Sequence, residues 1–377
     1  MRIVIDARYL TGEYSGIAQF SEDFLTHLAA EDNLNEYVVY VHPNYRRELP
    51  LGGNFTVKSF NARPVSLATL FQFGAVVRRE KPDLLHSLFP LTPFFYRGPL
   101  LVTIYDLQAL LVPEFTGRRP WLIHKAYDLF YWWTYPTAVR RARYIVTTSE
   151  ATRKDIERIF PRHADRAIVV HPGIDADELA QCPPDLLEQT RRHHGLPERY
   201  LLYIGSTRPN KNLPVMLRAY AQALGDYPEL GDISLVLVVS PDRFFADCRK
   251  LIRTLKISER VQIHRNISEE EKKAFYHGSR ALYQVTKYEG FGLPLLEAQA
   301  CSVPVLAANH AALPEVAGDS ALFVDPDDPR AITEGLLRIL TEEPLRRDLI
   351  EKGQRNLKRF RWEKTIKTVT QIYNHLF

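Results

Sequence analysis

Residues 281–300 read ALYQVTKYEGFGLPLLEAQA. The opening ALYQV is a short, largely apolar run of strand character, Gly290 and Gly292 mark a tight turn, and from Pro294 onward the residues favour a helix with proline at its start. A strand passing through a glycine turn into a helix is the repeating unit of a parallel, doubly wound sheet. At such a helix start the N–H groups of Phe291 to Leu293 would face an anion, with the helix dipole behind them. Two acids bracket the turn. Glu297 falls about one turn inside the helix, where a carboxylate can accept two hydrogen bonds from a vicinal diol such as a ribose. Glu289 precedes the turn, on the side of a second polar ligand group. Each also has a plainer reading, Glu297 as a charge complementing its helix N-terminus and Glu289 as a solvated loop residue.

The same pattern extends in both directions. Strand-like runs occur at 1–6, 37–42, 55–60, 83–87, 100–105, 144–149 and 167–171, and again at 200–205, 234–239, 261–264, 281–285, 303–307 and 321–325. Runs this apolar, separated by amphipathic stretches, predict parallel strands covered on both faces. The expected fold class is α/β, with two doubly wound, Rossmann-like domains facing across a cleft. Pro172, Gly173, Pro183 and Pro184 interrupt both periods and place a hinge near residues 172–185. The last stretch, FRWEKTIKTVTQIYNHLF, predicts an amphipathic helix with Trp362, Ile366, Val369, Ile372 and Tyr373 on one side. Periodicity does not say which domain it covers.

Bulk properties narrow the function classes. The chain has 377 residues, enough for two domains with full cores, and 45% hydrophobic and 25% charged residues, ordinary for a globular protein. A net charge of +4 is too weak to argue for a nucleic-acid partner, but it suits anionic substrates or an anionic membrane surface. Three widely spaced cysteines, Cys182, Cys248 and Cys301, fit a reducing cytosol better than a disulfide framework or a zinc site. Asp6 and Arg8 stand where a signal peptide would be apolar, and no run approaches the ~20 apolar residues of a membrane span. A cytoplasmic protein is expected, in contact with a membrane at most peripherally.

Three further stretches carry chemistry. YLLYIGSTRPNKNL (200–213) ends a strand in Gly205 and a polar turn bearing Arg208 and Lys211, cations able to neutralise a diphosphate as it leaves; solvated surface charge is the plain alternative. DARYLTGEYSGIAQFSEDFL (6–25) sets Gly12 and Gly16 in a turn, with Ser15 placed to cap a helix beginning near Ile17; the turn could approach phosphate or sugar, or need its glycines only for its shape. The segment 118–144 mixes Trp121, Phe130, Trp132 and Trp133 with basic residues, which suits a bilayer interface or an aromatic sugar platform as well as a core helix rimmed by arginine stems. Asp-x-Asp occurs at Asp175/Asp177 and Asp325/Asp327, but with Arg208 and Lys211 available no metal is expected.

In their order along the chain, the glycine turn, VTIYDLQALLVPEF, VTTSEATRKDI, VVHPGID, YIGSTRPNKNL and YEGFGLPLLEAQACSVPVLAANHAALPEVAGDSALFVDPDD resemble the retaining, nucleotide-sugar-dependent glycosyltransferases of family four, which have the GT-B fold. The resemblance covers nearly the whole chain. It implies an N-terminal acceptor domain of residues 1–172, a nucleotide-sugar domain of 173–359, and a C-terminal helix from about 360 to 377 that crosses back to the first. It assigns the donor ribose to Glu297, the donor sugar to Glu289, sugar hydroxyls and phosphate to the backbone of Gly290, Phe291, Gly292 and Leu293, and the leaving diphosphate to Lys211 and Arg208. Gly16, Tyr105 and Asp106 complete the expected donor pocket. The chain departs from the family in Tyr105, where many members have His, in Ser302, where Gly is usual, and in Thr286 and Lys287 at the strand end. The expected Tyr105 retains a hydroxyl able to bond a sugar oxygen. The implied activity is metal-independent transfer of a mannose- or rhamnose-type hexose, from a GDP-sugar or next a UDP-sugar, to a glycan or lipid-linked acceptor, with no cofactor. The alternatives are a nucleotide-sugar epimerase and a binding module without turnover.

Overall fold

The computed structural model describes residues 1–12, 15–112, 121–240 and 242–376. The chain divides into two compact units. One holds Met1–Leu110, Lys125–Gly173 and the C-terminal segment from Phe360; the other is built on Ile174–Arg359.

All thirteen strands expected from the sequence are present. The first unit holds β1 (Arg2–Asp6), β2 (Glu36–Val41), β3 (Phe55–Ser59), β4 (Leu84–Ser87), β5 (Leu100–Ile104), β6 (Tyr144–Thr147) and β7 (Ala167–Val169) in the order β3-β2-β1-β4-β5-β6-β7, every pair parallel. The second holds β8 (Tyr200–Ser206), β9 (Ser234–Ser240), β10 (Val261–His264), β11 (Ala281–Gln284), β12 (Val305–Ala308) and β13 (Leu322–Val324) in the order β10-β9-β8-β11-β12-β13, again all parallel. Central strands such as β4 and β5 are buried at every position, which is why they read as unbroken apolar runs. The edge strand β3 is largely exposed and more polar, FTVKS. Six helices carry the site and its supports: α1 (Gly16–Glu31), α2 (Trp121–Arg141), α3 (Pro184–His194), α4 (Glu269–His277), α5 (Leu293–Ala300) and α6 (Trp362–His375).

In each sheet the winding direction reverses beside the first strand, at β1/β4 and at β8/β11. The carboxyl ends of strands flanking such a reversal are splayed by crossovers leaving to opposite faces, and ligands of open α/β sheets lie there.

The C-terminal helix α6 belongs to the first unit. Its buried face, Trp362, Thr365, Ile366, Val369, Ile372 and Tyr373, joins the core of β1, β2 and α1. Trp362 stacks on His27 with ring centres 5.0 Å apart, and Thr365 Oγ1 donates to the His171 carbonyl at 2.7 Å. Gly173 makes this approach possible, because a Cβ there would lie 2.5 Å from the Trp362 backbone nitrogen. Tyr373 Oη and Thr103 Oγ1 lie 2.7 and 2.9 Å from the two ring nitrogens of the fully enclosed His86, whose burial pulls its pKa down to about 3. No helix of the described residues is long and apolar enough to cross a membrane.

Candidate active site

Strands β8 and β11 pair directly, so the turns that follow them emerge side by side. After β8, Arg208 begins a single 3-10 turn, Pro209–Lys211, which ends at Asn212 in the left-handed region (φ 59°). Two asparagines staple this turn to its neighbours. Asn210 donates through Nδ2 to the Tyr288 carbonyl at 3.1 Å and accepts at its own carbonyl from Lys287 N at 2.8 Å. Asn212 Nδ2 donates to the carbonyls of Val285 (3.1 Å) and Pro326 (2.8 Å). These buried amides place Lys211 opposite Glu289, and the two side chains form an ion pair, 18% and 11% exposed. Arg208 is exposed at the start of the turn.

The glycine turn has the conformation its residues require. Gly292 caps α5 at φ 110°, and a Cβ would come within 2.7 Å of Leu313 Cδ2, so both backbone and packing exclude a side chain. Leu293 begins α5 and Pro294 is its second residue. Gly290 and Phe291 are buried. Ser302, just past the end of α5, adopts φ 57°, which accounts for a preference for glycine there; the hydroxyl partly compensates by accepting from Gln354 Nε2 at 3.2 Å. Beside the ion pair, Asn210 Oδ1 and Thr286 Oγ1 are buried without a hydrogen-bond partner among the described residues, positions that a water or a ligand group would satisfy.

Glu297 lies one turn into α5 with its side chain 12% exposed. Its carboxylate accepts from Lys272 Nζ at 2.9 Å on one oxygen and from Tyr276 Oη at 2.6 Å on the other. Sequence reading missed both donors. The only local signal is their spacing, one helical turn apart on α4, which puts them on a common face.

In the first unit, Ser15 caps α1 by accepting from Ala18 N at 3.1 Å, and the helix begins at Gly16, where an added Cβ would meet nothing within 4 Å. Among the described residues, packing therefore does not require a glycine at this position. Asp106 is half-buried and accepts from Gln108 N at 3.0 Å and Gln108 Nε2 at 2.8 Å. Tyr105 requires a correction. Its hydroxyl, expected to be offered to a sugar, is enclosed by protein beside Ser21, with the ring edge-on to Phe20 at 5.2 Å. Burial drives the phenol far above its ordinary pKa. The ring itself is half-buried against the first-unit core, and it is the hydroxyl that is turned into protein.

Of the two Asp-x-Asp pairs, the second is engaged in local structure. Asp325 Oδ1 accepts from Asp327 N at 2.8 Å, Asp327 pairs with Lys287, and Asp175 stands at the start of a short helix, Ala176–Leu179. Among the described residues, His193 and His194 at the end of α3 and Glu271 on α4 bring potential metal-ligand atoms within 4.8 Å of one another. Glu271 is already committed, to a capping box with Ser268 and to His194 Nε2 at 2.8 Å. On α2, Leu122, Leu129, Trp132 and Trp133 are exposed rather than packed in a core; residues 118–120 and the Trp121 side chain lie outside the described residues.

Comparison with known proteins agrees with this architecture. The family model described as Glycosyl transferases group 1 matches residues 187–356, and that of Glycosyltransferase Family 4 matches residues 14–178. The chain is 25% identical over 395 residues to O-antigen chain mannosyltransferase B of Escherichia coli, covering 100% of both chains. It is 28% identical over 248 residues to a D-inositol 3-phosphate glycosyltransferase of Corynebacterium urealyticum, covering 63% of this chain and 58% of the relative. Among solved structures, it superposes on a sucrose-phosphate synthase of Thermosynechococcus elongatus with TM-score 0.77 at 19% identity, covering 100% and 99% of the two chains. It superposes on Anabaena HepE, solved with UDP-glucose, with TM-score 0.74 at 17% identity and 100% of both chains. Matched in both halves by family models and along its whole length by these folds, the chain belongs to the family 4 glycosyltransferases and has their GT-B fold.

Proposed function

We propose that the chain transfers a hexose of mannose or rhamnose type from a nucleoside diphosphate sugar to a glycan or lipid-linked acceptor during polysaccharide assembly, with retention at the anomeric carbon and without a metal. The observation that carries this reading is the Lys211–Glu289 pair at the β8/β11 reversal, with Glu297 one turn into the helix that follows. Lys211, with Arg208 beside it on the same turn, would neutralise the departing diphosphate, and Glu289 would then be released toward the donor sugar. The backbone of Gly290 to Leu293 at the start of α5 would bind phosphate and sugar oxygens, and Glu297 the ribose diol. Gly16 and Asp106 of the first unit are offered as donor contacts on the family resemblance alone. Retention needs no protein nucleophile: the acceptor hydroxyl attacks from the face the diphosphate leaves, and a phosphate oxygen takes its proton.

Full-length similarity to an O-antigen chain mannosyltransferase supports a mannose-type hexose, and a GDP-sugar is the first donor to test. The structural likeness to a protein solved with UDP-glucose makes a UDP-sugar the second. A panel of GDP- and UDP-sugars scored by thermal shift would identify the donor, and Glu297→Ala and Lys211→Ala should abolish that shift while leaving the unliganded melt intact. An unchanged shift in both variants would mean that the donor site is elsewhere. Anomeric analysis of the product by NMR tests retention, and manganese-dependent activity would defeat the metal-free reading. The exposed Leu122, Leu129, Trp132 and Trp133 on α2, with exposed Lys125 among them, support peripheral contact with an anionic membrane on its cytoplasmic side. Absence of liposome flotation with and without anionic lipid would end that idea.

A further inference from the structure

Glu297 is held from outside its own helix. Lys272 and Tyr276 stand one helical turn apart on α4, and each takes one oxygen of the carboxylate, at 2.9 and 2.6 Å. The Lys272 side chain is only 6% exposed and also meets Glu269 Oε2 at 2.6 Å, so a nearly buried ammonium lies between two acids. Removing a cation from water is costly, and tying α4 to α5 alone would be served as well by an apolar pair. What the cation and phenol supply, and an apolar pair would not, is a carboxylate held by both oxygens in one rotamer. Each carboxylate oxygen has a second acceptor site, so both remain able to take a further hydroxyl proton.

We propose that Lys272 and Tyr276 are the positioning residues that fix Glu297 to accept the two adjacent ribose hydroxyls of the nucleotide donor, and thereby set the chain's preference for ribonucleotides over deoxyribonucleotides. The inference rests on reading Glu297 as the ribose ligand. The locked carboxylate meets the diol without first losing rotamer freedom, so its contribution is specific to a ligand that has both hydroxyls.

The test compares dissociation constants of GDP and UDP with those of their 2′,3′-dideoxy counterparts, by calorimetry, for the native chain, Lys272→Met, Tyr276→Phe and Glu297→Gln. The native chain should prefer the ribonucleotide by roughly tenfold or more, as expected for losing hydrogen bonds to a charged group. Tyr276→Phe and Lys272→Met should each shrink that preference severalfold while leaving dideoxynucleotide affinity unchanged, and in turnover the loss should fall on the donor KM more than on kcat. Equal weakening toward both nucleotide types would mean a merely structural contact and overturn the proposal, as would an undiminished ribose preference in both variants. If Glu297→Gln retains the full preference, the reading of Glu297 itself fails; if Glu297→Gln loses it but the two α4 variants keep it, only the positioning role fails. Tyr276→Phe removes a single oxygen at the edge of α4, so it stands as a test even if Lys272→Met does not fold.

Discussion

Asp6 ends the first strand of one sheet and Arg8 follows it, Lys211 and Glu289 follow the reversal strands of the other, and each pair joins an acid to a base at the carboxyl ends of parallel strands. The surroundings differ. Arg8 is 0% exposed and holds Asp6 through two bonds of 2.7 Å, from Nε and Nη2. Its Nη1 donates to Thr69 Oγ1 at 3.0 Å, and its guanidinium lies 3.8 Å from the centre of the Phe73 ring. Its polar groups are consumed by protein, which leaves nothing for a ligand. The Lys211–Glu289 pair remains partly exposed, and the same two turns hold two buried oxygens, Asn210 Oδ1 and Thr286 Oγ1, without a partner among the described residues. Similar chemistry at strand ends is thus sealed in one unit, where breaking the pair would strand a buried charge, and partly exposed in the other.

The contrast can be broken most severely at the sealed end. Arg8→Met leaves the buried Asp6 carboxylate uncompensated and should cost about 3–5 kcal/mol of stability in chemical denaturation. Donor affinity measured on the remaining folded protein should be unchanged; a stable Arg8→Met protein with impaired donor binding would reverse the roles assigned to the two pairs. At the open end, Lys211→Ala should lower kcat by roughly 10²–10³-fold, the range for removing one preorganised donor from a developing negative charge. Melting should change little, and loss of the fold would instead make Lys211 a structural residue.

His86 sharpens the comparison through pH. Its folded pKa of about 3 lies below the ordinary value near 6.5, so the folded chain keeps it neutral while the unfolded chain protonates it. Its contribution to stability is therefore complete above about pH 6.5 and lost progressively as pH falls toward 3, with roughly 2 kcal/mol gone between about pH 7 and pH 5. Tryptophan fluorescence suits this measurement, since Trp132, Trp133 and Trp362 all belong to the first unit. His86→Gln should flatten the slope, and an unaltered slope would assign the acid sensitivity to other groups. In the second unit His264, held down to about 4 by burial and then by His194, titrates in the same direction.

The smallest effect is expected at Tyr105. Because its hydroxyl is enclosed by protein beside Ser21, Tyr105→Phe should shift stability by no more than about 1 kcal/mol and leave donor affinity unchanged. A tenfold loss of donor affinity would return this phenol to the binding site.

Local chemistry made much of the molecule legible. The β-strands announced themselves because strands buried on both faces must be continuous apolar runs, and the turn before α5 because its Gly292 position tolerates no side chain. Glu289, Glu297 and Lys211 could be singled out because they sit next to those turns. Their partners could not. Lys272 and Tyr276 reach Glu297 across 25 and 21 residues, and Asn212 reaches Pro326 across 114. Contacts over such separations leave no periodic trace, since packing rather than local preference brings the residues together.

Fold class, strands and polar turns are written locally in the chain, because short-range sterics and burial period act within a few residues of one another. Which charges are sealed and which stay open emerges only from the packing of the folded chain. It withdrew the Tyr105 hydroxyl into the first core, satisfied Arg8 completely, and held Glu297 between a lysine and a tyrosine from another helix. Whether a charge is enclosed depends on every element packed around it, and that is a property of the folded chain.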